Sequence, residues 1–289
     1  MSEARETSSA KTILITGCSS GIGAAAAHML RGRNWHVFPT ARKPEDVEAL
    51  RAAGFEAHVL DYEYPETIAS ALAAVLERTG GKLDALYNNG AYAIPCALED
   101  LATGGLRSLF ESNFFGWHEL TRQVVPVMRA QGHGRIVNCS SVLGIIAMKY
   151  RGAYTSSKFA LEGYTDTLRQ ELMDANIKVS MIEPGPIDTR FTENALANFH
   201  RWIGPEGLEA SPHKEAYHRR LKRMEAGEPG RFKLQADAVV QCLLHALEAD
   251  RPKARYRVTV LTKVVAVLRR VLSTRMLDKF LMRGADSEE

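Results

Sequence analysis

Tyr154 and Lys158 are the residues with the plainest chemistry in this chain. A spacing of four places them on one helical face, a turn apart. A free phenol titrates near ~10 and is a poor acid–base group at neutral pH. A neighbouring ammonium favours the phenolate and lowers that value. The pair therefore predicts a general acid/base tuned by a cation. Taken alone, it is also the pattern of an ordinary Tyr and Lys exposed on a helix. A second feature is the loop Thr16-Gly17-Cys18-Ser19-Ser20-Gly21-Ile22-Gly23, spaced G-x-x-x-G-x-G. Gly17 lets the chain turn sharply, Gly21 lets backbone approach a pyrophosphate, and Gly23 lets the next helix pack close. Ser19, Ser20 and Ile22 complete the loop, and the following helix offers free N–H groups to phosphate. A plain glycine-rich strand–helix turn has the same spelling. So does the nucleophile elbow G-x-S-x-G, here around Ser19. A hydrolase needs an oxyanion-hole loop from an earlier strand, however, and only the polar stretch Met1–Lys11 precedes this one.

The elements that must position these residues alternate between two kinds. Thr12–Thr16, Trp35–Pro39, Phe55–Leu60, Leu83–Tyr87, Arg135–Cys139, Ile177–Ile182 and Tyr256–Leu261 read as strands. The first is apolar without alternation, as a strand buried on both faces must be. Ile22–Arg31, Pro44–Ala53 and Pro65–Arg78 read as helices, two of them opened by proline. The alternation predicts an α/β fold, a single doubly wound Rossmann-type domain. Its parallel seven-stranded sheet has helices on both faces. Ligands then bind beyond the carboxyl ends of the strands, in the loops after Thr16, Pro39, Leu60, Tyr87, Cys139 and Ile182. The expected organisation is a flexible polar N-terminus (1–10) and a Rossmann-fold domain (11–262). That domain carries a lid or insertion (191–232), and a C-terminal amphipathic helix and tail (263–289) follow it.

Three more stretches fall in order along the chain. Ser141 lies thirteen residues before Tyr154, beside Ser140, and Asn113 lies further upstream. Pro184-Gly185-Pro186-Ile187-Asp188-Thr189 follows the sixth strand. With the glycine loop and Tyr154-Thr155-Ser156-Ser157-Lys158, these make roughly residues 11–190 resemble the short-chain dehydrogenase/reductase family. Asn113, Ser141, Tyr154 and Lys158 match its Asn-Ser-Tyr-Lys tetrad, and Pro184 to Thr189 its P-G-x-x-x-T. Phe159-Ala160-Leu161-Glu162-Gly163 resembles the hydroxysteroid and retinol dehydrogenase branch. The resemblance implies interconversion of a carbonyl and a secondary alcohol with a nicotinamide cofactor. It gives Tyr154 the proton transfer, Ser141 the substrate oxygen, Lys158 the nicotinamide ribose and Asn113 a water-linked proton relay. It places Asp61 at the adenine, Asn88 and Gly90 at the adenosine half, and Pro184, Ile187 and Thr189 at the nicotinamide. It also implies a homodimer or homotetramer. One departure stands out: Asn88-Asn89-Gly90-Ala91 replaces the family's Asn-Asn-Ala-Gly, moving the glycine freedom by one position. Asn113 also fits a plain helix-breaking role, and a non-catalytic cofactor-binding sensor could reuse the same fold.

The loop after the second strand decides the cofactor. Ala41 occupies the position where an acid would accept from the ribose 2′-hydroxyl. Arg42 follows, and a guanidinium grips a 2′-phosphate bidentately, with Ser20 adding a hydroxyl. NADP(H) is expected over NAD(H), although Arg42 also fits a solvated surface charge. Leu143, Ala147, Met148, Tyr150, Phe191, Leu196, Phe199 and Trp202 suit a small apolar carbonyl or alcohol substrate. His213–Arg223 reads as a mobile, solvated basic insertion, flanked by Gly227-Glu228-Pro229-Gly230. Residues 264–281 read as one basic amphipathic helix, a docked helix or oligomer contact more than a membrane-surface element. The chain has 289 residues, 45% apolar and 25% charged, an ordinary globular composition. A net charge of +3 is too mild for a nucleic-acid partner. Cys18, Cys96, Cys139 and Cys242 form neither C-x-x-C nor zinc spacing, so no metal is expected and reduced, buried thiols are. No apolar run reaches the ~18–20 residues that span a bilayer. The N-terminus does not read as a secretory signal, and a cytoplasmic location is expected.

Overall fold

The apolar run Thr12–Ile15 forms β1, all of it buried. The computed structural model describes residues 10–226 and 233–286. After β1 come α1 (Gly21–Arg31), β2 (His36–Ala41), α2 (Pro44–Ala52), β3 (His58–Val59), α3 (Pro65–Arg78) and β4 (Ala85–Asn88). Then follow α4 (Thr103–Phe110), α5 (Gly116–Gln131), β5 (Gly134–Cys139), α6 (Gly152–Glu171) and β6 (Ile177–Glu183). The chain ends with α7 (Phe191–Trp202), α8 (Gly204–Ala210), α9 (Lys214–Glu225), α10 (Ala236–Glu248), β7 (Arg255–Arg257), α11 (Val260–Val271) and α12 (Thr274–Asp286).

The strands form one seven-stranded sheet in the order β3-β2-β1-β4-β5-β6-β7, every pair parallel. Helices flank both faces, with α1 packed on α10 and α3 on α5. The expected α/β fold is the one observed. Ile13, Leu14, Ile15, Leu86, Tyr87, Ile136 and Val137 are wholly buried, as strands covered on both faces require. The order reverses between β1 and β4, and such a reversal opens a crevice beyond the carboxyl ends of the strands.

Four expectations need correction. The third strand shrinks to His58–Val59, an edge strand paired only through Thr40 and Ala41. The seventh ends at Arg257, because Thr259 caps α11 by accepting from the Thr262 N–H at 3.2 Å. The single C-terminal helix over 264–281 is two helices, parted where the Ser273 carbonyl accepts from Met276 and Leu277 N–H. The basic stretch 213–223 is no solvated insertion. It forms most of α9, with Tyr217 and Leu221 buried against Phe199 and Leu208. Residues 1–9, 227–232 and 287–289 lie outside the described residues. These include nearly all of the expected polar N-terminus, Gly227-Glu228-Pro229-Gly230, the end of the expected lid and the end of the tail.

Candidate active site

At the end of β1 the chain turns on two glycines in the left-handed region, Gly17 (φ +69°) and Gly21 (φ +59°). A Cβ at Gly17 would stand 2.6 Å from the Gly90 Cα, and one at Gly23 would stand 2.2 Å from the Gly17 carbonyl oxygen. The loop is thus closed against its own helix and against the β4 loop. No side chain caps α1, so its first-turn N–H groups face outward from Ser20 and Gly21. These features fit a pyrophosphate: a side-chain-free cradle at a helix N-terminus. The Cys18 N–H donates to the Thr40 carbonyl at 2.8 Å, which sets Ala41 and Arg42 beside the loop. Arg42 is exposed. Its charge acts to lower the carboxyl of Asp61, although burial raises that carboxyl overall. Ser19 is exposed and makes no hydrogen bond among the described residues, so nothing there activates a hydrolase nucleophile.

The four positions that resemble the family's tetrad come from three places in the fold. Asn113 sits in a π-helical turn, Glu111–Phe115, between α4 and α5. Its amide is wholly buried: the oxygen accepts from the Tyr92 N–H at 3.0 Å, and the nitrogen donates to the Tyr92 carbonyl (2.8 Å) and Ser157 Oγ (3.2 Å). Ser141 follows β5 and its hydroxyl accepts from the Leu143 N–H at 3.1 Å, capping a short 3₁₀ turn. Tyr154 and Lys158 lie on α6, one turn apart and both buried. Lys158 Nζ donates to the Cys139 carbonyl at 2.8 Å and stands 5.5 Å from the Tyr154 ring centre.

Burial governs the electrostatics. It pulls the Lys158 ammonium down to about 8, with Cys139 and Glu162 opposing. It pushes the Tyr154 phenol above its ordinary value, with the Ser141 hydrogen bond opposing. A cation-lowered phenol was expected from the spacing; in this structure desolvation is the larger effect. One turn beyond Lys158, burial also raises the carboxyl of Glu162, which bonds to Ser140 and Arg255. Arg255 further donates to Glu183 (2.6 Å) and Asp166 (2.5 Å). This ionic cluster ties β6, β7 and α6 together directly behind Ser140 and Ser141.

A family model described as short chain dehydrogenase matches residues 11–199. The chain belongs to the short-chain dehydrogenase/reductase family. It is an oxidoreductase of that family. It is 40% identical over 271 residues to an uncharacterized oxidoreductase, YbbO, of Escherichia coli strain K12, covering 94% of both chains. It is 36% identical to human retinol dehydrogenase 8 over 197 residues, 65% of this chain and 62% of that one. It thus resembles the retinol dehydrogenase branch. A solved short-chain dehydrogenase/reductase of Burkholderia phymatum, in complex with NAD, is 26% identical with a TM-score of 0.72. That similarity covers 90% of this chain and 92% of the other.

The family's β4 loop departs here without strain. Gly90 is absent from the positive-φ residues, and a Cβ there would make only ordinary contacts at 3.4 Å. The close approach is met at Gly17 instead. The Asn88 side chain does not reach the crevice: it is wholly buried and donates to Thr121 and Asn138. Its neighbour Asn89, overlooked in the sequence, donates to the Thr16 and Gly17 carbonyls at 3.1 and 3.2 Å. Trp117 was missed too. Its indole donates to the Gly90 carbonyl at 2.9 Å, and its ring centre lies 4.4 Å from Lys158 Nζ. The paired asparagines offered a signal for Asn89; nothing in the sequence singled out Trp117.

Beyond β6, the Val142 N–H donates to the Pro184 carbonyl at 2.7 Å, joining the Ser141 loop to the Pro184–Thr189 stretch. Ile187 pairs with Leu234, and the Thr189 side chain lies 3.0 Å from where a Gly21 Cβ would stand. Phe191 faces Tyr154, ring centres 5.4 Å apart. Phe199, expected to line a pocket, is instead buried against Tyr217. The Tyr217 and Ser211 hydroxyls both donate to Asp100, at 2.5 and 2.6 Å, and latch α8 and α9 to the loop after β4.

Proposed function

We propose that this oxidoreductase interconverts a carbonyl and a secondary alcohol on an apolar substrate, using NADP(H). The observation that carries the reading is the convergence of Asn113, Ser141, Tyr154 and Lys158 beside the glycine loop, at the carboxyl ends of the central strands. Gly17, Ser19, Ser20, Gly21, Ile22 and Gly23 would hold the pyrophosphate, and Asp61 and Gly90 the adenosine half. Lys158 would hold the nicotinamide ribose, and Pro184, Ile187 and Thr189 the nicotinamide. The cofactor, when bound, supplies or accepts the hydride. Tyr154 gives its proton to the substrate oxygen in reduction and takes it back in oxidation. Ser141 donates a hydrogen bond to that oxygen and orients it. A Lys158 amine held near 8 can exchange protons at neutral pH, and Asn113 keeps the Tyr92 backbone and Ser157 fixed behind it.

The Burkholderia phymatum relative holds NAD, so the preference for NADP(H) rests on this chain's own Ala41 and exposed Arg42. Arg42→Ala is expected to raise the KM for NADPH at least tenfold and leave that for NADH within about twofold. Equal losses for both cofactors contradict a 2′-phosphate contact. We further propose that 11–262 is the catalytic domain and that the described part of 191–232 is a latched substrate lid. Phe191 and Leu143 would supply apolar contacts beside Tyr154, and Met148 would do so in a cleft of about 400 Å³ that it lines with Tyr150 and Gly152. Family membership points to a homodimer or homotetramer, which analytical ultracentrifugation distinguishes from a monomer. An NADPH-consumption screen over steroid, retinoid, aliphatic and aromatic carbonyls tests the activity. Cofactor binding with no turnover across that panel would favour a sensor.

A further inference from the structure

The two C-terminal helices carry apolar faces that no described residue covers. On α11, Val260, Val264, Val267 and Val271 are 76, 45, 57 and 69% exposed. At ~100° per residue these four valines share about 60° of arc. On α12, Met276 and Phe280 are 56 and 47% exposed and stand one turn apart. The other sides of both helices are docked. Val265 and Leu277 are buried against Ile146, with Val142, Leu143, Ile145 and Met148 around them. Cations flank each exposed stripe on the same side. Lys263 and Arg270 lie roughly 70–90° from the centre of the valine stripe, and Lys279 and Arg275 roughly 80–120° from the centre of the Met276–Phe280 line. All four are exposed, and Asp278 is the one acid among the described side chains of these helices.

We propose that α11 and α12 dock the protein on an anionic lipid surface. The Val260–Val271 and Met276–Phe280 stripes enter the headgroup boundary, and Lys263, Arg270, Arg275 and Lys279 meet lipid phosphates. Among the described residues no helix is long and apolar enough to cross a membrane, so the helices lie along the surface. Charge favours lipid over a second copy of the chain. A two-fold interface sets the same patch against itself, and where it pairs these helices antiparallel it brings their cationic flanks together. The docked faces rest on residues 142–148, directly after Ser141. A membrane-bound protein therefore holds its Ser141 loop beside the bilayer, where apolar molecules partition. Only this consequence for substrate delivery rests on the proposed reaction; docking does not.

The test is co-sedimentation of the full chain with vesicles of phosphatidylcholine alone or mixed with phosphatidylglycerol. The expected result is binding to the anionic vesicles, at least tenfold weaker on the neutral ones and weakened by salt. Val264→Glu with Val267→Glu, both at exposed positions, should keep the thermal melt and lose vesicle binding. Arg270→Gln with Lys279→Gln should weaken binding by about fivefold per cation removed. Absence of wild-type binding to anionic vesicles overturns the proposal, and so does binding unchanged in the Val264/Val267 variant. Self-association that this variant abolishes, without vesicle binding, would assign the face to a second copy instead.

Discussion

Replacing Lys158 by Met should make the protein more stable while removing its proposed chemistry. Lys158 is 1% exposed. Burial lowers its ammonium from 10.5 to about 8. Unfolding restores the ordinary value, so keeping this charge inside costs about 3 kcal/mol at neutral pH, at about 1.4 kcal/mol per tenfold change in proton affinity. Met keeps most of the apolar stem and carries no charge. It also removes the donation to the Cys139 carbonyl, which offsets about 1 kcal/mol of the gain. The net expectation is a variant about 2 kcal/mol more stable at pH 7. The pH dependence has a definite sign. The folded pKa lies below the unfolded one, so the unfolded chain binds more protons between about 8 and 10.5. The burial penalty is complete below that window and fades as pH rises through it, so the gap to the variant closes. Urea unfolding of both proteins at pH 7 and pH 10, followed by circular dichroism, measures it. A variant no more stable at pH 7, with the same gap at pH 10, refutes the reasoning.

Gly17→Ala should destabilise by roughly 2–3 kcal/mol, from a positive φ and a Cβ forced against backbone. The contact is with the Gly90 Cα, at 2.6 Å. A urea midpoint equal to wild type would contradict the closed loop. Arg255→Ala should cost roughly 3 kcal/mol at pH 7, because Glu162, Glu183 and Asp166 lose their shared cation. That loss should shrink on acidification, as the freed carboxylates take up protons. Thermal melts at pH 7 and pH 5 check both the size and the trend; a loss that grows in acid would contradict the cluster's role.

The alternation of buried runs and helices made the sheet legible, since β1, β2, β4, β5 and β6 all have apolar interiors that parallel strands require. Edges were harder to read. Phe55 and Ala57 are buried as a strand residue would be, yet they lie outside the ladder. Thr259 looks like part of a β-branched strand, and only its bond to the Thr262 N–H reveals a helix cap. At the candidate site, fixed spacing singled out the glycine loop, Ser141, Tyr154 and Lys158, and the family resemblance added Asn113. Effects that depend on tertiary neighbours left no such trace. Asn88 and Asn89 are chemically alike, and only the end of β4 decides which faces Gly17. Trp117 reaches Lys158 across the fold. Desolvation of Tyr154 and Lys158 follows from how tightly α6 is covered, which a spacing of four residues cannot report.

Tyr154→Phe removes the phenolic proton and keeps the ring against Phe191. The variant is to be compared with wild type for NADPH oxidation on a carbonyl that the wild type reduces, and for NADPH binding by fluorescence titration. Turnover should fall by roughly 10²–10⁴-fold, the usual worth of a positioned acid, while NADPH affinity stays within about twofold. Turnover within a few-fold of wild type would contradict Tyr154 as the proton donor.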